Sequence, residues 1–342
     1  MREAIISFPL FGEGFQLDPP AFFSIGGFRI YFYGVIIALG LMLAVLYGAK
    51  FCKRVGMTME VIYDYLIWAI IAGVVCARLY YCITYVNAEG VHTYLQNPLS
   101  FFYIRDGGMA IYGSVIGAIL ALALVARKRK ETLWKPLDMM SFGFLIGQCV
   151  GRWGNFFNRE AFGYATDVFC RMGLTPTTAE GVATLRSEGF PDAAVGQTVY
   201  VHPTFLYESL WNLLGLVLLH LHCRRRRRYQ GQYFLMYLMW YGFGRFFIEG
   251  LRTDSLWLVP GVIRISQLLA AVTCTAAAAL YILNARRLAA GRKPLAGRLD
   301  ADDIMEETET EEPAPAAEGS PEAEDEASPL PAEDEPPDGA ER

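Results

Sequence analysis

The sequence lacks the residue spacings that mark a metal or redox site. Its seven cysteines contain no CxxC pair, and its four histidines form no metal-ligand motif. Most of the cysteines stand inside apolar runs, where cysteine is typical of a small buried hydrophobe. We therefore expect no metal ion and no cofactor. Repeats with a period of about 20–50 residues are also missing, which excludes a repeat array.

Basic residues are almost missing from the end of the chain. Residues 300–342 hold 18 of the 35 acidic residues and one basic residue, so the net charge of −5 hides a balance of +12 over residues 1–299. That surplus suits anionic lipid surfaces, and we expect membrane lipids, not nucleic acid, as partners. The terminal segment has almost no large apolar residue, which predicts a disordered tail.

Apolar residues make up 54% of the 342 residues, and the mean hydropathy is +0.27. Both values predict a membrane protein. Residues 1–28 have no basic region followed by an uninterrupted apolar one, so we expect an interfacial segment and no cleavable signal peptide. Apolar runs long enough to span a bilayer follow at 30–50, 62–86, 108–126, 139–157, 204–223, 231–250 and 263–285.

Lysine and arginine are concentrated in alternate connections. They follow the first, third, fifth and seventh runs, and the other connections are poor in them. The positive-inside rule therefore places the N-terminus outside and the C-terminus in the cytoplasm. The long connection 158–203 then lies outside, where its mixed composition predicts a small cap.

These patterns predict an all-α integral membrane protein. We expect a seven-transmembrane-helix bundle with a small extracytoplasmic cap and a disordered C-terminal tail. The interfacial segment is 1–28, the transmembrane domain is 29–290 with its cap at 158–203, and the cytoplasmic tail, first basic and then acidic, is 291–342.

The stretch GRWGNFFNREAFG, residues 151–163, places charge at membrane depth. Arg152 continues an uncharged run, and a guanidinium there costs roughly 3 kcal/mol or more. At helical spacing Arg152, Asn155 and Arg159 share one face. Glycines leave an adjacent face bare enough for a helix or a lipid headgroup to approach. Hydrogen-bond donors that converge at membrane depth, where little water competes for them, indicate an anion-binding site.

A second charged stretch, YGFGRFFIEGLRTD at 241–254, ends the sixth run. Tyr241, Arg245 and Glu249 follow at four-residue intervals on one helical face. Arg245 and Glu249 alone would indicate a buried ion pair. Two intramembrane arginines on different helices exceed what packing requires, and an anionic ligand explains the excess. A phosphodiester is a suitable ligand, because the planar guanidinium groups of two arginines can donate hydrogen bonds to its oxygens.

Other polar residues on the outer half each have two interpretations. Tyr33 fits a site or the interfacial aromatic belt, and Arg78 fits a site or an arginine that snorkels to the surface. Tyr112 lies in GGMAIYGSVIG, residues 107–117, which is also a weak helix-packing motif. Glu208 lies in HPTFLYES, residues 202–209, which is also ordinary helix capping.

These blocks, in this order, resemble the bacterial prolipoprotein diacylglyceryl transferase family. The resemblance covers about residues 20–285, and GRxGNFxNxExxG is its most specific motif. It implies a transferase of the bacterial plasma membrane that acts in lipoprotein biosynthesis. Such an enzyme moves the diacylglyceryl group of phosphatidylglycerol to the lipobox cysteine in the signal peptide of a prolipoprotein. A thioether forms and glycerol 1-phosphate leaves.

The resemblance also implies roles for single residues. Arg152 and Arg245 would hold the phosphate. The residues that would complete the site are Tyr33, Asn155, Glu160, Gly163, Tyr241 and Glu249. We add Arg78 and Glu208, because they stand at the outer ends of the second and fifth apolar runs.

Many family members have histidine where this chain has Tyr112, and that histidine has been cast as the base for the thiol. A phenol keeps its proton at neutral pH. Tyr112 is therefore either a hydrogen-bond donor, or proton removal belongs to a carboxylate such as Glu249 or Glu160, or to water.

Two further classes of protein remain open. A transporter or binding protein for an anionic lipid would use the same arginines along a pathway, although inverted repeats and paired broken helices are not visible in the sequence. A scaffold that works through the acidic tail leaves the Arg, Asn and Glu constellation unexplained.

Overall fold

The structure is a computed structural model, and it describes residues 3–12, 14–86, 92, 94, 98–102, 108–223, 227–259 and 261–299. Seven helices of 19–26 residues dominate this part of the chain. They are α1 (Phe32–Phe51), α2 (Met59–Thr84), α3 (Ile111–Arg129), α4 (Trp134–Asn158), α6 (Thr204–Cys223), α7 (Gln232–Leu251) and α8 (Ile265–Ala289). A short helix, α5 (Ala179–Ser187), lies between α4 and α6.

The long helices follow the apolar runs of the sequence, because a segment in lipid must satisfy its backbone hydrogen bonds internally. Five spans are long and apolar enough to cross a membrane: α1 with the turn that follows it, α2, α3, α6 and α8. Helices α4 and α7 are of similar length, and each carries charged residues within it. The chain is therefore a mostly helical, multi-pass membrane protein.

Helices α2 and α3 pack closely because α3 presents glycine to α2. A Cβ atom built on Gly117 would lie 2.4 Å from the carbonyl oxygen of Ala72, and one on Gly113 would lie 2.3 Å from that of Cys76. No side chain fits at these distances, so the two backbones touch as they do in small-residue packing motifs.

Gly117→Ala is expected to destabilise the protein by about 1–3 kcal/mol, because the methyl group forces α3 away from α2. Gly147→Ala is the matched control, since a Cβ on Gly147 meets no atom within 4 Å. Thermal unfolding of both variants in the same detergent measures the difference. Equal unfolding temperatures would contradict the close packing.

A four-stranded antiparallel sheet lies beyond the ends of the helices. Its strands are β1 (Ala4–Ser7), β2 (Gln16–Leu17), β5 (Met172–Pro176) and β6 (Val199–Val201), in the order β2-β1-β5-β6. Ile6 pairs with Leu174 across the sheet. Both are fully buried, as are Leu185 of α5 and Val201.

The sequence predicts an interfacial segment at 1–28, and the structure assigns part of it differently. Ala4 and Ile6 bury one face of β1 against the 158–203 connection. Two hairpins carry exposed apolar side chains and lead into helices: β3 (Phe22–Ile25) with β4 (Phe28–Tyr31) before α1, and β7 (Trp257–Val259) with β8 (Ile263–Arg264) before α8.

Asp138, near the start of α4, joins that helix to the start of α7. Its buried carboxylate accepts hydrogen bonds from the backbone N–H groups of Gly231 at 2.7 Å and Phe234 at 2.9 Å, and from Arg227 Nη1 at 3.1 Å. These bonds satisfy donors at the start of α7 that the helix itself leaves open.

The predicted tail begins at residue 291, yet its first residues pack against the bundle. Asn284 Oδ1 accepts hydrogen bonds from the N–H groups of Leu295 at 2.6 Å and Ala296 at 3.3 Å, and Gly297 forms a β-bridge with Gln230. The predicted disorder of residues 300–342 lies outside the described residues.

Candidate functional site

Four charged side chains from three helices form one continuous network of ion pairs, which we call the ion-pair cluster: Arg152 of α4, Glu208 of α6, and Arg245 and Glu249 of α7. Glu208 joins the two arginines, since Oε1 lies 2.6 Å from Arg152 Nη2 and Oε2 lies 3.0 Å from Arg245 Nη1. Arg245 Nη2 lies 2.6 Å from Glu249 Oε2.

The cluster is largely shut off from solvent, but its cations are less so than its anions. The side chains of Glu208 and Glu249 are each 3% exposed, whereas those of Arg152 and Arg245 are 19% and 16% exposed. Burying charges this deeply requires that they be paired. Part of each guanidinium group is therefore accessible to an oxygen ligand.

Local sequence sets this arrangement. Arg245 and Glu249 lie one helical turn apart on α7, and Arg152 lies near the end of α4. Glu208 enters from the second turn of α6, after Pro203 and Thr204 have started that helix. The sequence suggests Glu208 as one residue of the site, and the structure shows that it is the link between the two arginines.

A polar rim continues from Arg152 towards the cap. Arg152 Nη1 lies 3.5 Å from Asn155 Oδ1, and the Asn155 amide donates to Glu160 Oε1 at 3.1 Å. Asn158 donates to the same oxygen at 3.2 Å. Glu160 is exposed and is held by two amides, not by an arginine, among the described contacts.

Arg159 does not join this rim, which corrects the expectation that it shares a face with Arg152. Helix α4 ends at Asn158, and Arg159 has the left-handed φ of 50°. Its buried guanidinium turns away and donates to the carbonyl of Ala4 and the carboxylate of Asp18. It ties the N-terminal segment to the bundle.

Gly163 lies where the cap passes the end of α7. Its N–H donates to the carbonyl of His202 at 3.0 Å, and it forms a β-bridge with Arg252. A Cβ atom there would lie 2.6 Å from the carbonyl oxygen of Leu251. Glycine is therefore required for the backbones to approach.

Two tyrosines lie close to the arginines: Tyr33 packs against α4, which carries Arg152, and Tyr241 lies on α7, which carries Arg245. The ring of Tyr33 on α1 covers Gly154 of α4, where a Cβ would lie 2.7 Å from Tyr33 Cδ2. Tyr241 stacks on Tyr237 one turn earlier on α7, with ring centroids 5.8 Å apart. It precedes Arg245 by one turn and Glu249 by two turns on the same helix.

Arg78 is buried rather than turned to a surface, so the snorkelling interpretation is wrong. Its Nε donates to the carbonyl of Phe101 at 3.0 Å and its Nη1 to that of Gly108 at 2.9 Å. Its guanidinium also lies 5.1 Å from the ring centre of Tyr94. These contacts join Phe101 and Gly108 to α2.

Tyr112 lies in the first turn of α3 and is 43% exposed. Its ring centre is 6.4 Å from that of Tyr80. Within the described residues no side chain forms a hydrogen bond with its phenol, which is free to contact a substrate.

Arg264, at the start of α8, was not identified from the sequence. It is buried, and it donates to the main-chain carbonyl of Glu249 and to the phenol of Tyr164 at 3.0 Å. Its guanidinium lies 4.8 Å from the ring centre of Trp257. A single arginine between two apolar segments gives little signal, because only folding brings it to the end of α7.

Arg252 and Asp254 close this end of the site as a separate pair. Arg252 donates to the two oxygens of Asp254 at 2.9 and 2.7 Å. Burial opposes ionisation of Asp254, but the hydrogen bonds and the charge of Arg252 outweigh it and lower the pKa of Asp254.

His202 lies before the start of α6, and its Nδ1 is 3.3 Å from the Tyr207 hydroxyl. Burial lowers the pKa of this histidine.

The fold and the cluster define a multi-pass membrane protein with a buried arginine and glutamate network beside an extended polar rim. The model of the prolipoprotein diacylglyceryl transferase family matches residues 20–283, so the chain belongs to that family. This agrees with the resemblance inferred from the motifs.

Three relatives show the extent of the similarity, and each is named phosphatidylglycerol–prolipoprotein diacylglyceryl transferase. The protein from Limosilactobacillus reuteri is 41% identical over 273 residues, which cover 78% of this chain and 91% of that protein. The protein from Enterococcus faecalis is 40% identical, with 77% and 90% covered. The protein from Bacillus cereus is 40% identical, with 76% and 89% covered.

Proposed function

We propose that this protein transfers the diacylglyceryl group of phosphatidylglycerol to the thiol of a prolipoprotein cysteine. The names of the relatives support the reaction and both substrates. The observation that carries the proposal in this chain is the convergence of Arg152 and Arg245, from different helices, on Glu208. Their partly accessible guanidinium groups suit the oxygens of one phosphodiester.

The proposed topology has all seven long helices crossing the bacterial plasma membrane. Helices α4 and α7 are 25 and 20 residues long, and a helix of about 20 residues crosses the hydrocarbon core. Basic residues occupy the last turns of α1, α3 and α8. We place those ends in the cytoplasm and the cap and the N-terminus outside.

The proposed roles follow from the contacts. Arg152 and Arg245 bind the phosphate and stabilise the charge that builds on it, and Glu208 fixes both guanidinium groups. Glu249, which pairs with Arg245 one turn earlier on α7, is the catalytic carboxylate of that helix. The remaining residues line or support the substrate site: Tyr33, Arg78, Asn155, Glu160, Gly163 and Tyr241. The second substrate is the signal peptide of a prolipoprotein, which presents its lipobox cysteine from the membrane.

In the proposed reaction the cysteine sulfur, as the thiolate, attacks the glycerol carbon that bears the phosphodiester. The carbon–oxygen bond breaks, its electron pair goes to the phosphate oxygen, and a thioether forms. Glycerol 1-phosphate leaves. Donors fixed in advance around the leaving phosphate act mainly by stabilising this charge in a site from which water is largely excluded.

The experiment that tests the function uses the full chain in detergent, phosphatidylglycerol labelled in its headgroup, and a peptide with a lipobox cysteine. Release of labelled glycerol phosphate is the readout. We expect release with this peptide and none with the Cys→Ser peptide. Lipid binding without release would favour the second candidate, a transporter or binding protein for an anionic lipid, which the same partly accessible arginines would also serve.

Tyr112→Phe tests the proposed catalytic role of the phenol. We expect transfer to fall by about tenfold, the value of one lost hydrogen bond to the substrate. The release assay with labelled phosphatidylglycerol measures this fall. An unchanged rate of transfer would show that the phenol takes no part in the reaction.

A further inference from the structure

We propose that the acidic terminal segment, residues 300–342, binds to a basic patch at the point where it leaves the helix bundle. We call this surface the exit patch, and it consists of Lys130, Arg228, Arg292, Lys293 and Arg298. The interaction joins two parts of the same chain. It goes beyond the proposed function, because neither the ion-pair cluster nor the transfer reaction takes part in it.

Three segments of the chain meet just before residue 300. The N–H of Gln230 donates to the carbonyl of Gly297 at 2.9 Å, and the Thr132 hydroxyl donates to the side chain of Gln230. A Cβ atom built on Gly297 would lie 3.1 Å from Thr132 Oγ1. The residues that lead into the acidic segment therefore pack against the starts of α4 and α7.

Each of these three segments carries an exposed basic residue close to the contact. Lys130 and Arg228 each precede the contact residue of their own segment by two positions, and Arg298 follows the contact directly. The turn after α8 adds two more exposed residues, Arg292 and Lys293. Five positive charges therefore lie around the point where the acidic segment begins.

The carboxylates beside the exit patch already have partners. Glu131 accepts a hydrogen bond from the Tyr65 hydroxyl at 2.8 Å, and its other oxygen lies 3.6 Å from Arg129 Nε. Asp138 is held by Arg227 and by two backbone N–H groups. Within the ranges that the structure describes, no ion pair joins an exit-patch residue to a carboxylate. The patch therefore keeps its positive charge for an anionic partner.

The terminal segment carries the opposite charge and begins at the patch. Residues 300–342 contain 18 acidic residues and one basic residue, a net charge of −17, and they start two positions after Arg298. An extended residue spans about 3.3 Å, so even the carboxylates from Glu318 onward can return to the patch. Attachment to the same chain gives them an effective concentration on the order of 1 mM there.

Anionic lipid headgroups are the competing partner for a basic surface on a membrane protein. They contact basic side chains on the flanks of a helix bundle, whereas the exit patch is built around the contact of Gly297 with Gln230 and Thr132, at the ends of helices. An anionic lipid surface also repels a segment as acidic as residues 300–342. The acidic segment is therefore the partner that the patch fits best.

Carbodiimide coupling of the full chain in lipid nanodiscs tests the contact. The reagent joins a lysine amine to a carboxylate that touches it, with loss of water, and leaves arginine unchanged. We expect amide links between Lys130 and carboxylates from Glu318 onward, within one chain, both with and without anionic phospholipid in the disc. Mass spectrometry identifies the linked residues. Raising the salt concentration to about 1 M should lower the yield by a factor of about three or more, because the screening length falls to about 3 Å.

Arginine variants separate binding from chance collision of an attached segment. The triple variant Arg228→Gln, Arg292→Gln and Arg298→Gln keeps the Lys130 amine and removes three charges around it. We expect the yield of Lys130 links at low salt to fall by a similar factor of about three. Arg29→Gln is the control, because Arg29 is exposed on β4, which precedes α1 at the opposite end of the bundle. It should leave the yield unchanged.

Three kinds of result would overturn the inference. Lys130 links that are absent, or equally frequent in the triple variant, would mean that the acidic segment does not bind the patch. Links found only between two chains would assign the patch to a second copy of the protein. Links lost when anionic phospholipid is added would assign it to the membrane surface. If the triple variant failed to fold, the salt series on the wild type would decide, and a yield independent of salt would overturn the inference.

Discussion

Replacing Arg245 with lysine is expected to lower diacylglyceryl transfer roughly a hundred- to a thousandfold. Arg245 reaches two carboxylates at once, with Nη1 at Glu208 and Nη2 at Glu249. A lysine ammonium keeps the charge, but it lacks the planar fork that can hold these oxygens and a phosphate together. The loss should appear mainly in kcat, because the stabilised charge develops as the phosphate leaves.

The release assay with labelled phosphatidylglycerol measures this effect. Arg129→Lys is the matched control, since Arg129 forms an ion pair with Asp64 at 2.8 Å in the last turn of α3. Both variants should fold, and the control should transfer at nearly the wild-type rate. An Arg245→Lys enzyme that kept full kcat would show that positive charge alone suffices and that catalysis does not need the planar guanidinium group.

The positions of the long helices could be predicted from sequence because lipid imposes one simple demand on them. A run of apolar residues must be helical to satisfy its backbone, and the overlap of the predicted runs with helices such as α6 (Thr204–Cys223) follows from that. The sheet could not be predicted in the same way. Its central pairing joins Ile6 to Leu174, which lie far apart along the chain, so neither strand reveals its partner.

The candidate site was predictable in its residues but not in its connections. Helical spacing correctly puts Arg245 and Glu249 one turn apart. The same reasoning fails for Arg159, because a left-handed residue ends α4 and no spacing rule indicates where a helix stops. The bridging position of Glu208 depends on how three helices pack, and that information is tertiary.

Glu208→Ala is expected to destabilise the protein by about 3–5 kcal/mol, because it leaves two largely buried arginines facing each other without their shared carboxylate. Thermal unfolding in detergent measures the loss, and Glu160→Ala, which removes an exposed carboxylate, should cost less than about 0.5 kcal/mol. The double variant Glu208→Ala with Arg152→Met should recover part of the lost stability, because it removes the unpaired charge and keeps an apolar side chain of similar length. Recovery would mean that Glu208 serves to hold the arginines. If the double variant were as unstable as the sum of the two single changes, the two side chains would be energetically independent, and the cluster would not act as one unit in binding a phosphate.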